Sequence, residues 1–156
     1  MPLAYRDDLP SLEQVDRQLQ QADADEASVS TPDSSERGSE ARALAERARR
    51  LRERIAPLPP DPEYPFRVDA WQLGDAIWVV VEGEPYFWLE QELLKHCGDR
   101  PLFVLPLANG ARSSYLLPRD QAVRPLYQAD VAILAPGCLE RIAEEIIGQL
   151  EAWSGK

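Results

Sequence analysis

The sequence predicts an α/β fold: a small mixed sheet with a βαβ unit, flanked by an N-terminal helical hairpin and a C-terminal helix, as part of an incomplete domain. Three observations carry this. Ala76-Ile77-Trp78-Val79-Val80-Val81 is a continuous apolar run with the length and β-branched content of a strand buried on both faces. A helical pattern and a second apolar run, Leu102-Phe103-Val104-Leu105-Pro106-Leu107, come next, and strand, helix, strand is the order of a βαβ unit. Residues 1–60 carry their apolar side chains at helical spacing instead, and no internal repeat is visible.

The elements follow in chain order. Ser11 with Gln14 three positions on is a capping-box pattern, and Leu12, Val15 and Leu19 recur behind it at helical spacing, which predicts a first helix. Residues 28–39 are rich in Ser, Thr, Asp, Gly and Pro and read as a mobile connection. A second helix is predicted over 39–56, with Leu44, Ala48, Leu51 and Ile55 on one narrow stripe. Its arginines suggest a nucleic-acid helix, but Glu40, Glu46 and Glu53 interleave with them, and the pattern reads as a solvated face. Pro57, Pro59, Pro60, Pro62 and Pro65 then form a stiff connector that no helix crosses, so the organisation predicted is a hairpin over 1–60 and an α/β segment over 61–156.

Within that segment Phe66, Val68 and Ala70 alternate as a strand, and Gly74-Asp75 turns it into the Ala76 to Val81 strand. A helix is predicted from Pro85 to Cys97 with Phe87, Leu89, Leu93 and Leu94 as core contacts and Gly98 past its end. Residues 109–131 read as mostly irregular, with a short extended piece at Tyr115-Leu116-Leu117. The last helix, 137–153, buries Leu139, Ile142, Ile146, Ile147, Leu150 and Trp153.

Composition excludes several function classes. With 17 Lys and Arg against 27 Asp and Glu, the formal charge of −10 disfavours a nucleic-acid groove or an anionic membrane patch. No apolar run approaches the roughly 20 residues that span a bilayer. No signal peptide opens the chain as written, so a cytoplasmic address is expected, or secretion if an upstream part carries a signal. Cys97 and Cys138 lack Cys-x-x-Cys spacing and read as buried small hydrophobes. His96 is the single histidine, placed in the last turn of its helix where a cation complements the dipole. One histidine cannot build a conventional zinc site or, at the far end of its helix from Glu84, a self-contained triad. Phosphate-binding glycine loops are absent.

The place to look for chemistry is the carboxyl edge of the sheet. Glu84, in the Gly83-Glu84-Pro85 corner, is expected at a helix N-terminus with Pro85 at the first helical position. Asn109-Gly110 begins a loop at the same edge, with Ser113, Ser114 and Tyr115 beyond it. From the residues alone, Glu84 reads either as a site carboxylate or as an ordinary first-turn carboxylate, and Asn109-Gly110 either as site-lining or as a plain turn.

The ordered set Leu73-Gly74-Asp75, Gly83-Glu84, Leu107-Ala108-Asn109-Gly110, Tyr115-Leu116, Tyr127-Gln128 and Ala135-Pro136-Gly137 resembles the later part of the catalytic domain of neutral/alkaline (non-lysosomal) ceramidase-like proteins, in particular their divergent bacterial members. The likeness covers residues 66–150 best. It implies a zinc-dependent amide hydrolase acting on a lipid-like N-acyl amide, with Glu84 and Tyr115 as metal ligands and Asn109 and Gly110 lining the site. It also implies histidine ligands and attacking groups earlier in the domain, which this chain lacks; their residues are unknown here, and a missing upstream catalytic segment is the implied partner. Glu82 stands where the family has proline, the 109–115 spacing is one residue long, and Tyr127-Gln128 replaces a Tyr-Glu pair. The expectation is a segment contributing part of a zinc site and inactive alone. The alternative is a non-catalytic protein-interaction module presenting an exposed helical hairpin.

Overall fold

In the computed structural model, which describes residues 1–28 and 36–154, the chain divides into two compact units, Asp8–Pro59 and a second made of Met1–Asp7 with Pro60–Lys156. Most of the connection expected to be mobile, residues 29–35, lies outside the described residues.

The first unit is an antiparallel pair, α1 (Leu12–Ser28) and α2 (Glu36–Ile55). Ser11 and Gln14 close the capping box reciprocally: the Gln14 N–H donates to Ser11 Oγ at 3.2 Å and the Ser11 N–H to Gln14 Oε1 at 2.7 Å. Arg49 reaches Asp23 at 2.6 Å and Glu26 at 2.8 Å, and Arg52 reaches Asp16 at 2.7 Å, tying the two helices together. The predicted stripe of α2 holds at Ala48 and Ile55 and departs at Leu44. Ala45, Ala48 and Ile55 are buried, whereas Leu44 is 50% exposed. One residue along a helix is a rotation of about 100°, and the inward positions take alanines because a small side chain lets two helices approach closely.

The second unit holds three small sheets. β1 (Pro2–Ala4) pairs antiparallel with β2 (Glu63–Pro65), Leu3 opposite Tyr64. No element was expected at the N-terminus, and residues 1–60 were expected to form one hairpin domain; instead the first seven residues belong to the α/β unit. Leu3 is fully buried, and the Arg6 side chain donates to the carbonyls of Ala129 at 2.7 Å and Ala132 at 3.1 Å. The second sheet has β3 (Val68–Leu73) antiparallel to β4 (Ala76–Val81), and β4 parallel to β6 (Leu102–Leu105). Gly74, at φ +62°, makes the tight turn between β3 and β4. Between β4 and β6 the chain forms α3 (Trp88–Cys97), completing the βαβ unit. The third sheet is the parallel pair β5 (Glu84–Pro85) and β7 (Tyr115–Leu116).

Ile77, Val79 and Val81 alternate into the core, and α3 packs against α6 (Cys138–Ser154) with Leu89, Leu93 and Cys97 of one helix and Leu139, Ile142, Ile146 and Leu150 of the other buried. Phe87 and Leu94, expected in the core, are exposed because the buried stripe of α3 runs through 89, 93 and 97 at four-residue spacing. Residues 109–131 contain two short helices that the sequence did not suggest, α4 (Arg119–Ala122) and α5 (Tyr127–Val131).

Candidate functional site

Glu84 is not at a helix N-terminus. It stands in β5, and α3 begins after Phe87, whose backbone takes the cap position without a side-chain cap. The reason lies in the neighbours. A residue before proline is pushed toward extended geometry, and the ladder to β7 uses the N–H groups on either side of Pro85: Glu84 donates to Ser114 O and Tyr86 to Leu116 O, each at 2.9 Å. The proline's missing donor falls at a position where none is needed.

Gly83 makes this path possible. Its φ is +81°, and a Cβ there would collide with Ser113 Oγ and sit 2.7 Å from Ser114 O. Its backbone is clasped on both sides, the Gly83 N–H donating to Gly110 O and the Leu107 N–H to Gly83 O, both at 2.9 Å. The loop that arrives here, residues 106–114, is held in uncommon geometry at both ends, with Leu107 and Ser114 each at φ +60°. Ser113 Oγ is fully buried beside Gly83 with no hydrogen-bond partner among the described residues.

This arrangement sets Glu84 directly opposite Tyr115 in the parallel register. Tyr115 packs with Tyr86 against a small apolar cluster of Leu117, Ala129 and Ala132, and its ring meets Tyr127 edge to face at 6.3 Å. The carboxylate of Glu84 raises the Tyr115 pKa above its ordinary value, chiefly by its charge; partial burial, Tyr127 and a hydrogen bond to the same carboxylate add to the shift. Exposed Phe87 and Tyr127 flank this part of the chain.

The other expected site residues fall around it. Gly110 meets the Glu84 segment through its carbonyl, as described, while the Asn109 side chain turns to Asp69 Oδ2 at 3.2 Å. His96 Nδ1 lies 3.6 Å from Glu151 of α6, a contact between helices at the opposite end of α3. One buried polar pair was not foreseen. Glu82, next to the corner, accepts a hydrogen bond from the Tyr64 hydroxyl, and burial together with that carboxylate drives the Tyr64 pKa far up. An apolar strand running into a glutamate hints at such a group, but its partner arrives from β2, and nothing local to Glu82 announces it.

As a cation site the constellation fits in part. Glu84 and Tyr115 offer two oxygen donors side by side, a carboxylate and a phenol that must lose its proton to ligate. Among the described residues no group of three or more His, Cys, Asp or Glu side chains could hold a metal. No protein-family model, curated protein or solved structure matches the chain.

Proposed function

We propose that this chain supplies the carboxylate and phenol donors of a zinc centre in a ceramidase-like amide hydrolase, the remaining ligands and the attacking group coming from outside it. The observation that carries the reading is the parallel register that sets Glu84 opposite Tyr115. Neighbouring strands lie roughly 4.8 Å apart, and the two side chains, paired in register, are within hydrogen-bond reach of each other, near enough to converge on one ion. A bound zinc would polarise an amide carbonyl and acidify water. The chain's own part is positional. The clasp around Gly83 fixes the Glu84 backbone, the small apolar cluster fixes the Tyr115 ring, and Glu84 holds the phenolic proton until a cation replaces it. Phe87 and Tyr127 give the surroundings an apolar character suited to a lipid-like N-acyl amide.

Zinc titration of the purified chain tests this by calorimetry and by the ultraviolet signature of tyrosinate. Binding is expected to be weak, because two oxygens leave a tetrahedral ion half coordinated. It should strengthen as pH rises, since a raised phenol pKa means that zinc must displace a firmly held proton. Glu84→Ala should abolish binding, and Tyr115→Phe should remove the tyrosinate signal. Tight stoichiometric binding that survives Glu84→Ala would place the ligands elsewhere.

A further inference from the structure

Between α1 and α2 runs an open groove of about 410 Å³, floored by Ala22, Ala41, Leu44 and Leu51 and edged by Asp25 on one helix and Arg47 on the other. Arg49 and Arg52 are engaged with carboxylates of α1, but Arg47 has no ion-pair partner among the described residues. The charges of the hairpin are segregated by helix. α1 carries five carboxylates and one arginine, and α2 carries seven arginines and four glutamates.

We propose that this groove is a self-association surface whose occupant is the same groove of a second copy. The charge pattern selects the partner and the geometry. If two hairpins meet face to face about a two-fold axis parallel to the helices, α1 of each copy lies on α2 of the other, acidic on basic, with neighbouring helices antiparallel. A two-fold axis across the helices would stack α1 on α1 and bring like charges together, which is unfavourable. A self-complementary surface is what an isologous dimer requires. The apolar floor then becomes the centre of a four-helix arrangement, burying Leu44, which is half exposed in the single chain.

The size of the face sets the strength. At 1.5 Å per residue the helices are roughly 25 and 30 Å long, and two side by side are about 20 Å wide. That gives about 500 Å² per copy and about 1,000 Å² in all, the lower end of specific interfaces. The dimer is therefore a concentration-dependent one, weakened by salt.

Sedimentation velocity on the full chain over a concentration series tests this, with circular dichroism to follow helix content. A monomer–dimer equilibrium is expected. Leu44→Asp should weaken it at least tenfold or so by placing a charge in the shared floor. Arg47→Glu should also weaken it, and the exchange Asp25→Arg with Arg47→Glu should recover most of the loss, because it restores acid facing base. Both positions are exposed, so this exchange keeps the test informative if Leu44→Asp unravels the hairpin. A chain that stays monomeric throughout overturns the proposal. So does a dimer that ignores Leu44→Asp but is lost with Trp71→Ser on the open face of the β3–β4–β6 sheet, or an exchange no better than Arg47→Glu alone.

Discussion

The hairpin and the α/β unit solve the same problem with different material. The α/β unit buries large branched and aromatic side chains, among them Leu3, Phe66, Ile77, Leu89, Ile133, Ile142, Ile146 and Leu150. The hairpin buries Val15, Ala45, Ala48 and Ile55 and adds ion pairs whose side chains are partly exposed, Arg49 with Asp23 and Glu26 and Arg52 with Asp16. Each deeply buried branched side chain contributes about 1.5–3 kcal/mol and an exposed ion pair about 0–1 kcal/mol. Helices fastened mainly by small residues and surface charge stay within reach of opening, while a sheet backed by packed helices opens only when the whole unit does.

The sharpest way to break this comparison is Val79→Asp. Val79 is fully buried in the central strand between Ala70 and Val104, so an unpaired carboxylate there should cost more than about 4 kcal/mol and abolish the cooperative unfolding transition of the α/β unit in a urea titration. Retention of that transition would mean that the three-stranded sheet is not the unit's core.

Gly83→Ala comes next and separates the site from the core around it. The added methyl collides with Ser113 Oγ at a backbone angle that favours glycine, and about 2–4 kcal/mol of destabilisation is expected, with altered amide shifts at Glu84 and Tyr115 in nuclear magnetic resonance spectra. Unchanged shifts at these two residues would show that the clasp around Gly83 does not hold them in register.

The smallest effect is expected in the hairpin. Arg52→Ala removes one partly exposed ion pair and should change stability by less than about 1 kcal/mol. Hydrogen exchange on the unaltered chain gives the reference: amides over residues 44–55 should exchange before those of Ile77 to Val81. Equal protection in both segments would make the hairpin as firmly held as the sheet.

How much of this was legible depended on the distance between the residues that decide each feature. The capping box at Ser11 and Gln14, the turn at Gly74, the βαβ order and the buried stripe of α6 are written in neighbours a few positions apart, and the sequence showed them directly. The candidate site was half legible. Gly83-Glu84 and Asn109-Gly110 come together through the Gly83 N–H to Gly110 O bond, and Glu84 and Tyr115 do face each other. The expectation that Glu84 opens a helix failed because Pro85 permits two local outcomes, a first helical position or an edge-strand position. The choice was made by the segment leading into β7, far along the chain, which accepts the Glu84 and Tyr86 N–H groups at Ser114 O and Leu116 O and holds the corner extended.

The sequence by itself determined the main periodicities: the helices α1, α2, α3 and α6, the strands β3, β4 and β6, and that the acidic chain builds an α/β fold around one apolar run. Only the tertiary structure decided that residues 2–4 close a sheet with 63–65, that Leu44 faces out while Ala45 faces in, and that Leu107 and Ser114 hold positive φ angles without being glycine. The physical reason is the same in each case. Local pattern fixes the conformations a segment can adopt at little cost, whereas the burial and backbone hydrogen bonds that choose among them come from segments that meet only when the chain has folded.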